Sequence, residues 1–322
     1  GTHNRMEKDI IPKYNIDFKA IEIYGFNRKK LTKNIKTINC LIKSIKECTN
    51  IIKEFKPDIV IGVGGYVTTP VLLAAKKLKI KTFIHEQNSI PGKANLFLKN
   101  KVDKIGVSTQ ASLKYFKNAI LTGNPCSQDA INIKAADKSE FNLNENKKLV
   151  LFVMGSLGSS KVNDFLIKTM NSFSKKEYEI LFVTGKNSYD DIKTIKFPKN
   201  VKVLPYIENM TRIMKKTDIM VTRAGATTIS EAISLKIPCI FIPSPYVPNN
   251  HQYINALDLV ENNAALLIEE KHLKKDILVD SIDSLIYDES KIKEIKLNLK
   301  KLETPKSADK IYEIIKTLVK EG

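Results

Sequence analysis

Short apolar runs alternate with longer segments of helical periodicity along the chain, and this alternation is typical of β-strands followed by α-helices. In the first part of the chain the patterns predict strands at 18–23, 57–63, 81–85, 104–107 and 119–122. They predict helices at 5–10, 31–55 and 71–78. The segment 57–63 is apolar throughout, as expected of a parallel strand that is buried on both faces.

A second series of strands and helices follows residue 148. Strands are predicted at 149–153, 179–183, 201–204, 218–222, 239–243 and 264–268, and a last helix at 308–320. Residues 127–148 are polar, rich in lysine and asparagine and without a clear period, so they are predicted to form a linker. Because βα alternation produces parallel sheets, the predicted fold class is α/β, with two doubly wound parallel-sheet domains.

Length and composition agree with this division. The 322 residues suffice for two domains, and 43% hydrophobic with 27% charged residues is typical of a globular chain. No run of about 18 apolar residues predicts a transmembrane helix, and residues 1–8 lack the pattern of a signal peptide. The four cysteines fit neither a zinc site nor a disulfide framework, which indicates a reducing, cytoplasmic compartment.

The net charge of +18 indicates attraction to anions. Basic residues surround the predicted helix at 31–55, namely Arg28, Lys29, Lys30, Lys33, Lys36, Lys43, Lys46, Lys53 and Lys56. An apolar stripe is predicted on the same helix at Leu31, Ile35, Ile38, Ile42, Ile45 and Ile52. Two interpretations remain open: a solvated helix packed on a sheet in a lysine-rich chain, or a surface that docks on anionic lipid. No nucleic-acid-binding module is present, so nucleic acid is not a predicted partner.

The stretch 221–231, with the sequence VTRAGATTISE, places candidate chemistry between a predicted strand and a predicted helix that starts at Ile229. Gly225 supplies a turn where backbone can approach a ligand. Unpaired N–H groups at a helix start bind phosphate, and Glu231 is placed to accept hydrogen bonds from sugar hydroxyls. The alternative is a capped helix after a buried strand, with a threonine of this stretch as the cap.

Two further glycine turns and one polar cluster follow predicted strands. The turns contain Gly64-Gly65 and Gly155 to Gly158, and the cluster is His85-Glu86-Gln87-Asn88. In open α/β sheets ligands bind at the carboxyl edge of the strands, where these residues are expected. HExxH, a P-loop and paired strand-end aspartates do not occur in the sequence, so no metal is predicted. GxSxG is also absent, which argues against an α/β-hydrolase. The loops suit binding of a nucleotide-linked substrate.

Taken in order, the motifs of the chain resemble those of the MurG family, which transfers N-acetylglucosamine to complete lipid II for peptidoglycan and cell-wall biosynthesis. The motifs are GGYV at 64–67, HEQN at 85–88, GNP at 123–125, the glycine loop at 155–158, RAGATTISE at 223–231 and NHQYINA at 250–256. The combination is specific and covers essentially the whole chain.

The resemblance implies a GT-B fold, in which two Rossmann-like domains face a cleft. It assigns residues 1–126, completed by a C-terminal helix at 305–322, to the acceptor and the membrane side, and residues 149–304 to the UDP-sugar. It implies an inverting, metal-independent N-acetylglucosaminyltransferase that needs no cofactor. The expected partners are UDP-N-acetylglucosamine, lipid I and the anionic inner membrane surface, with the enzyme peripheral on the cytoplasmic face of the plasma membrane.

Matched motifs also imply roles for single residues. Ser156 would face the donor diphosphate, and Ile207 would frame the uracil. Phosphates and ribose would be held by Ala226, Thr227, Thr228, Ile229, Ser230 and Glu231, with Glu231 on the ribose hydroxyls. Gln252 and Asn88 would contact N-acetylglucosamine. The acceptor-side loop would be formed by Gly64, Gly65 and Tyr66.

Three departures from the family pattern qualify these roles. Leu157 stands where the family usually has glutamine, and Ser127 stands where it has arginine, so one phosphate or sugar contact is expected to be lost. The family's first strand and GGTGGH loop, which offers the general base, have no counterpart before Gly1, so about one βα unit is expected to be missing. The alternatives are therefore a truncated, catalytically impaired UDP-sugar-binding remnant, another GT-B transferase, or a UDP-sugar epimerase.

Overall fold

A computed structural model of the chain describes residues 1–3, 5–25, 33–155, 159–190 and 192–321, without the side chains of residues 33–36 and 187. The chain divides into two compact units. The first comprises residues 1–122 and 309–322, and the second comprises residues 123–308. Each unit is built on its own parallel sheet, as the βα alternation predicts.

The first unit contains a four-stranded parallel sheet in the order β1-β2-β3-β4. The strands are β1 (Ile59–Gly62), β2 (Lys81–Glu86), β3 (Lys104–Val107) and β4 (Ala119–Leu121). The helices are α1 (Glu7–Ile10), α2 (Lys33–Phe55), α3 (Thr68–Lys77) and α4 (Lys93–Leu98). In the register, Ile61 lies opposite Phe83, and Ile84 lies opposite Ile105. The four predicted buried runs thus form neighbouring strands in chain order.

The predicted strand at 18–23 is not formed. Its one ladder contact with other described residues is an isolated parallel bridge between Thr2 and Ile21, supported by a hydrogen bond from the Ile21 amide to the Gly1 carbonyl. A strand needs a run of paired residues, and here Thr2 is the one residue of the described 1–3 segment that pairs with the predicted strand. Ile21 and Ile23 are nevertheless buried beside α2, so the alternating pattern marks a packed segment without regular pairing.

The buried face of α2 differs from the predicted stripe. Ile38 and Ile42 are 45% and 62% exposed, whereas Ser44 and Cys48 are buried. The Ser44 hydroxyl donates to the Glu22 carbonyl across 2.6 Å, so a polar side chain faces the packed segment. The prediction is therefore wrong for the two exposed isoleucines, while Leu31 and the Ile35 side chain lie outside the described residues.

Strand β1 is less buried than its uniform apolar sequence predicts. Ile61 is 48% exposed and Val63 is 64% exposed. Among the described residues β1 pairs with β2 alone, so it lies at the edge of the sheet. The expectation of burial on both faces is therefore wrong for this strand.

The second unit contains a six-stranded parallel sheet in the order β10-β9-β8-β5-β6-β7. Its strands are β5 (Leu149–Val153), β6 (Glu179–Val183), β7 (Val201–Leu204), β8 (Ile219–Thr222), β9 (Cys239–Phe241) and β10 (Ala265–Leu267). Its helices are α5 (Cys126–Asn132), α6 (Ser160–Thr169), α7 (Lys186–Tyr189), α8 (Met210–Met214), α9 (Ala226–Leu235), α10 (His251–Glu261), α11 (Lys275–Ile286) and α12 (Glu289–Leu302). All six strands were predicted from the sequence.

The strand order of the second unit reverses between β5 and β8. From β5 the chain adds β6 and β7 on one side, and from β8 it adds β9 and β10 on the other. Ligands of doubly wound sheets bind at such a switch point, beyond the carboxyl ends of the strands. The strands are apolar throughout because helices cover both faces, and Phe152, Phe173 and Phe182 pack edge to face with no exposed surface.

Residues 127–148 do not form a linker but belong to the second unit. They contribute most of α5, which packs against α9. The Arg212 guanidinium holds both carboxylate oxygens of Glu140, at 2.9 and 3.1 Å, and the Lys215 ammonium donates to two backbone carbonyls of the segment. Ala130 and Ala136 are buried, so a few small apolar residues suffice to fix this polar segment.

The last helix, α13 (Ser307–Lys320), buries Leu318, with Ile311, Ile314 and Ile315 half-buried on the predicted face. Residues 309–322 belong to the first unit, where the Lys310 ammonium donates to the Leu121 carbonyl. Within the described ranges no helix combines the length and apolar character needed to cross a bilayer.

Candidate functional site

The amino end of α9 is the centre of the candidate site. Strand β8 ends at Thr222, and α9 begins at Ala226 instead of the predicted Ile229. The Ile229 amide bonds to the Gly225 carbonyl at 2.9 Å, and no described side chain caps this helix end. The threonines Thr227 and Thr228 therefore lie inside the first turn, and the cap predicted there is not formed. Amide groups of this turn are available to bind an anion.

Gly225 has an ordinary extended backbone, with φ −72° and ψ 142°. Among the described residues, a Cβ atom added there would meet only the Thr228 hydroxyl, at 3.8 Å. Neither backbone strain nor packing therefore requires glycine at this position. The missing side chain leaves open space directly before the first turn of α9, which suits close approach of a phosphate.

Glu231 lies one turn into α9 and is half-buried. Burial raises the pKa of its carboxyl, and a hydrogen bond from Thr211 partly opposes that shift. The Thr211 hydroxyl stands on α8 and lies 3.4 Å from Glu231 Oε1. Cys126 of α5 lies beside the same turn, with its sulfur 4.0 Å from the Thr227 carbonyl, and burial raises its pKa to about 12. A partly desolvated carboxylate of this kind is a strong acceptor for sugar hydroxyls.

Gln252 and Ile207 stand on segments that pack around α9. The side-chain oxygen of Gln252 accepts the Ser244 amide at 2.8 Å, which directs the other end of its amide group, a donor, away from this backbone. Asn255, also on α10, donates to the Ala224 carbonyl across 3.3 Å and so ties that helix to the loop before α9. Ile207 follows β7, half-buried against the core, just before α8. The described donor residues of the second unit thus follow the carboxyl ends of strands in one sheet.

Ser156 and Leu157 lie outside the described residues, so their predicted roles stay predictions. The flanking residues are described. Gly155 has a φ of +88°, and an added Cβ atom would meet no described residue within 4 Å. Ser159 precedes α6 and its carbonyl accepts the Asn163 amide at 2.7 Å. The turn after β5 thus begins with a left-handed glycine and ends at the start of α6.

Ser127 is buried, as part of α5, and does not occupy an open binding position. Its hydroxyl donates to the Asn124 carbonyl at 2.7 Å and lies 3.3 Å from the Ser307 hydroxyl. The nearby Gly123 has a φ of +75°, and an added Cβ atom would lie 2.3 Å from the Ser307 hydroxyl. The GNP motif therefore permits close packing against the start of α13.

The HEQN cluster of the first unit forms a hydrogen-bonded network at the end of β2. The His85 ring is buried. Its Nε2 lies 3.1 Å from the Thr122 hydroxyl, and its Nδ1 lies 3.1 Å from the Gln87 side-chain amide nitrogen. Because the Gln87 nitrogen is a donor, Nδ1 accepts and Nε2 carries the proton. The Thr122 hydroxyl in turn donates a hydrogen bond to the Val107 carbonyl. The histidine ring thus ties β2 to β3 and to the residue that follows β4.

Glu86 orients Asn88. One oxygen of this buried carboxylate accepts the Asn88 backbone amide at 3.0 Å and the Asn88 side-chain amide at 3.1 Å. The other oxygen accepts the Gly92 amide at 2.8 Å and the Asn95 side chain at 2.9 Å. Asn88 belongs to the first unit, whereas the other described donor residues belong to the second.

The acceptor-side loop contains two left-handed glycines, Gly64 with φ +93° and Gly65 with φ +76°. An L-residue is disfavoured at both positions, so the turn into α3 requires this pair. Tyr66 is 37% exposed and lines a pocket of about 230 Å³ together with His3 and Arg5. The predicted loop therefore lies beside a pocket of the first unit that is lined by both polar and apolar side chains.

Arg223 is the residue that the sequence did not single out. It is nearly buried and donates to the Ile242 carbonyl, the Ser159 hydroxyl and the Glu270 carboxylate at 2.7 to 2.9 Å. The four residues are widely separated in sequence, so no local pattern connects them. The one available signal was a charged residue directly after a buried strand.

Both parts of the chain match a glycosyltransferase family. Residues 1–107 match the glycosyltransferase family 28 N-terminal domain, and residues 149–311 match the family 28 C-terminal domain. These two matches define the chain as a glycosyltransferase.

More specific similarity comes from curated relatives, each called a UDP-N-acetylglucosamine--N-acetylmuramyl-(pentapeptide) pyrophosphoryl-undecaprenol N-acetylglucosamine transferase. The protein of Bacillus licheniformis is 42% identical, over 99% of this chain and 89% of its own length. That of Pediococcus pentosaceus is 40% identical, over 99% of this chain and 90% of its own length. The chain belongs to this family of transferases, the MurG family.

Solved structures confirm the fold class. The crystal structure of Acinetobacter baumannii MurG has a TM-score of 0.79 at 23% identity, and the match covers 98% of this chain and 89% of that one. A UDP-GlcNAc 2-epimerase from Neisseria meningitidis bound to UDP-GlcNAc has a TM-score of 0.65 at 16% identity, over 98% and 90% of the two chains. Transferases and epimerases thus share this fold.

Proposed function

We propose that the chain transfers N-acetylglucosamine from UDP-N-acetylglucosamine to the muramyl 4-hydroxyl of lipid I, which forms lipid II. Family membership supports this proposal, because the names of the relatives state the transferred sugar and an undecaprenyl-linked muramyl pentapeptide. Solved UDP-GlcNAc 2-epimerases share the fold at 12 to 16% identity, far below the 40 and 42% identity to these two curated transferases.

One structural observation carries the donor assignment. The amino end of α9 has no described side-chain cap, follows an unconstrained glycine and lies at the switch point of the six-stranded sheet. The diphosphate binds at this helix end, where the helix dipole and amide groups favour negative charge. Thr227 and Thr228 add hydroxyl donors for the phosphates. The small side chain of Ala226 leaves room for the diphosphate to approach the helix end.

The remaining donor contacts follow from this position. Glu231 accepts the ribose hydroxyls, and Ile207 packs against the uracil. Gln252 donates to the N-acetylglucosamine through the amide nitrogen that Ser244 leaves available. Ser156 faces the diphosphate, and Asn88, oriented by the Glu86 carboxylate, contacts the sugar.

In the proposed reaction the muramyl 4-oxygen bonds to the anomeric carbon as the bond from that carbon to the diphosphate oxygen breaks. The electron pair of the broken bond leaves with UDP, the configuration inverts, and the hydroxyl proton passes to a general base. The amides and dipole of α9 stabilise the charge on the departing diphosphate. This stabilisation requires no divalent metal.

The acceptor carries a lipid tail that stays in the bilayer, so the enzyme acts as a peripheral protein at the cytoplasmic face of the plasma membrane. Support comes from α2, where Ile38 and Ile42 are 45% and 62% exposed and Lys43 and Lys46 are exposed nearby. Apolar side chains among lysines are typical of a surface that binds anionic lipid reversibly.

A transfer assay tests the proposal. The chain is incubated with lipid I in phosphatidylglycerol vesicles and UDP-N-acetylglucosamine labelled in the sugar, once with EDTA and once with magnesium. We expect labelled lipid II and UDP in equal amounts, at the same rate in both buffers. Label that stays on the nucleotide with an inverted C2 would identify an epimerase. Binding of UDP with neither product would identify a UDP-sugar-binding chain without transfer activity.

A further inference from the structure

Arg223 connects three loops at the carboxyl edge of the second sheet. Its side chain is 9% exposed and follows β8 directly. One terminal nitrogen donates to the Ile242 carbonyl after β9, at 2.8 Å. The other donates to the Ser159 hydroxyl before α6, at 2.7 Å, and to Glu270 Oε2, at 2.9 Å. A planar guanidinium is suited to such a three-way contact, because its donors point in fixed directions.

The charge of Arg223 is balanced by Glu270, whose side chain is 4% exposed. The second carboxylate oxygen of Glu270 lies 3.3 Å from the Lys161 ammonium, which is largely in solvent. A charge this deeply buried is stable when it is paired and hydrogen-bonded, and removal of one partner is strongly destabilising. The pair therefore forms a rigid support that links the start of α6 to the loop before α9.

We propose that Arg223 is a positioning residue for the donor: by holding Ser159 it fixes the amino end of α6 relative to the amino end of α9. This inference rests on the proposed function, in which the diphosphate binds at the start of α9. The start of α6 follows β5 and that of α9 follows β8, and these two strands flank the switch point. A fixed spacing between them prepares the site before the ligand arrives.

The most specific variant is Ser159→Ala. It removes the hydrogen bond from Arg223 to Ser159 and leaves the hydrogen bonds from Arg223 to Glu270 and Ile242 in place. We expect UDP to bind about three- to tenfold more weakly by calorimetry, as for one lost hydrogen bond, with the melting temperature nearly unchanged. In an Arg223→Met background the same Ser159→Ala change should have no further effect. A full additional loss there would show that Ser159 acts without Arg223 and would overturn the inference.

A second pair of variants separates positioning from stability. Arg223→Met alone leaves Glu270 without its buried partner and should lower both stability and UDP affinity. The double variant Arg223→Met with Glu270→Met should recover stability, because both charges are gone, but not affinity. In transfer assays its KM for the donor should rise by about tenfold or more, with a smaller change in kcat.

Recovery of affinity together with stability would show that the pair is merely structural and would overturn the inference. Lys176→Met is the matched control, since it breaks the 2.5 Å ion pair to Asp283 ahead of β6, away from the strand ends that carry the site. It should reduce stability and leave UDP affinity within about twofold. Absence of UDP binding in the unchanged protein would contradict the proposed function itself, which distinguishes the two failures.

Discussion

The Thr211 hydroxyl lies 3.4 Å from the Glu231 carboxylate, and their hydrogen bond joins α8 to the first turns of α9. Ile207 stands just before α8, so this contact links the segment proposed for the uracil to the residue proposed for the ribose. A carboxylate held in this way is pre-oriented for a ligand with two neighbouring hydroxyls, as a ribose has.

Removal of this carboxylate should weaken donor binding. For Glu231→Ala we expect UDP to lose about 1.5–3 kcal/mol of binding free energy, the range for a hydrogen bond to a charged group. Isothermal calorimetry with UDP measures the change. Glu261→Ala, at the exposed end of α10, is the matched control and should bind like the unchanged protein. Equal affinities of the two variants would remove Glu231 from the site.

The raised pKa of Glu231 predicts a pH-dependent effect on stability. Because burial raises its pKa above the ordinary glutamate value of about 4.5, the folded protein holds this proton more tightly than the unfolded chain. Stability from this group is therefore full below about pH 4.5 and is lost as the pH rises through the folded pKa. Glu231→Gln should thus raise the melting temperature at pH 7.5, by more than at pH 4. A gain that grows on acidification would contradict this sign.

Gln252 should distinguish the sugar nucleotide from the nucleotide alone. Gln252→Glu keeps the oxygen that accepts the Ser244 amide but loses the nitrogen proposed to donate to the sugar. A new negative charge affects UDP and UDP-N-acetylglucosamine alike, so the informative quantity is the affinity for UDP-N-acetylglucosamine divided by the affinity for UDP. We expect this ratio to fall by about tenfold, as for one well-placed hydrogen bond. An unchanged ratio in competition calorimetry would place Gln252 away from the sugar.

The exposed residues of α2 should determine vesicle binding. Serine at Ile38 and Ile42 with glutamate at Lys43 and Lys46 removes apolar area and reverses local charge. Each lysine near an anionic surface contributes about 1 kcal/mol, so binding to phosphatidylglycerol vesicles should be largely lost. Co-sedimentation at low and high salt measures this, because the attraction is screened beyond about 10 Å at 0.1 M salt.

The control for vesicle binding lies on α12. Leu297 is 61% exposed there, between Lys296 and Lys300. Serine at Leu297 with glutamate at both lysines changes the charge by the same amount on another surface. If this variant and the α2 variant lose vesicle binding equally, the general lysine content causes the attraction and α2 is not the docking surface.

Much of the fold follows from local patterns. The strands of the second unit are continuous apolar runs, since helices cover both faces of the sheet, and their predicted positions are confirmed to within two residues at each end. The motif at 221–231 also predicted the strand, turn and helix in the right order. The helix start was missed by three residues, because the small and hydroxyl residues after Gly225 favour no single start position.

Features that depend on contacts between distant residues did not follow from local patterns. Helical periodicity shows that α2 has an apolar face, but it does not show that Ser44 faces the Glu22 carbonyl while Ile42 faces solvent. The polar composition of residues 127–148 gives no indication that Ala130 and Ala136 are buried. The Arg223 network joins residues 64 and 47 positions apart, a distance that no motif spans.

The most direct test of the account is a crystal structure of the chain with UDP-N-acetylglucosamine. We predict diphosphate oxygens within hydrogen-bond distance of the amide groups at Ala226 to Thr228. The ribose hydroxyls should meet Glu231, and the uracil should lie against Ile207. Diphosphate density away from the amino end of α9 would contradict the proposed donor site.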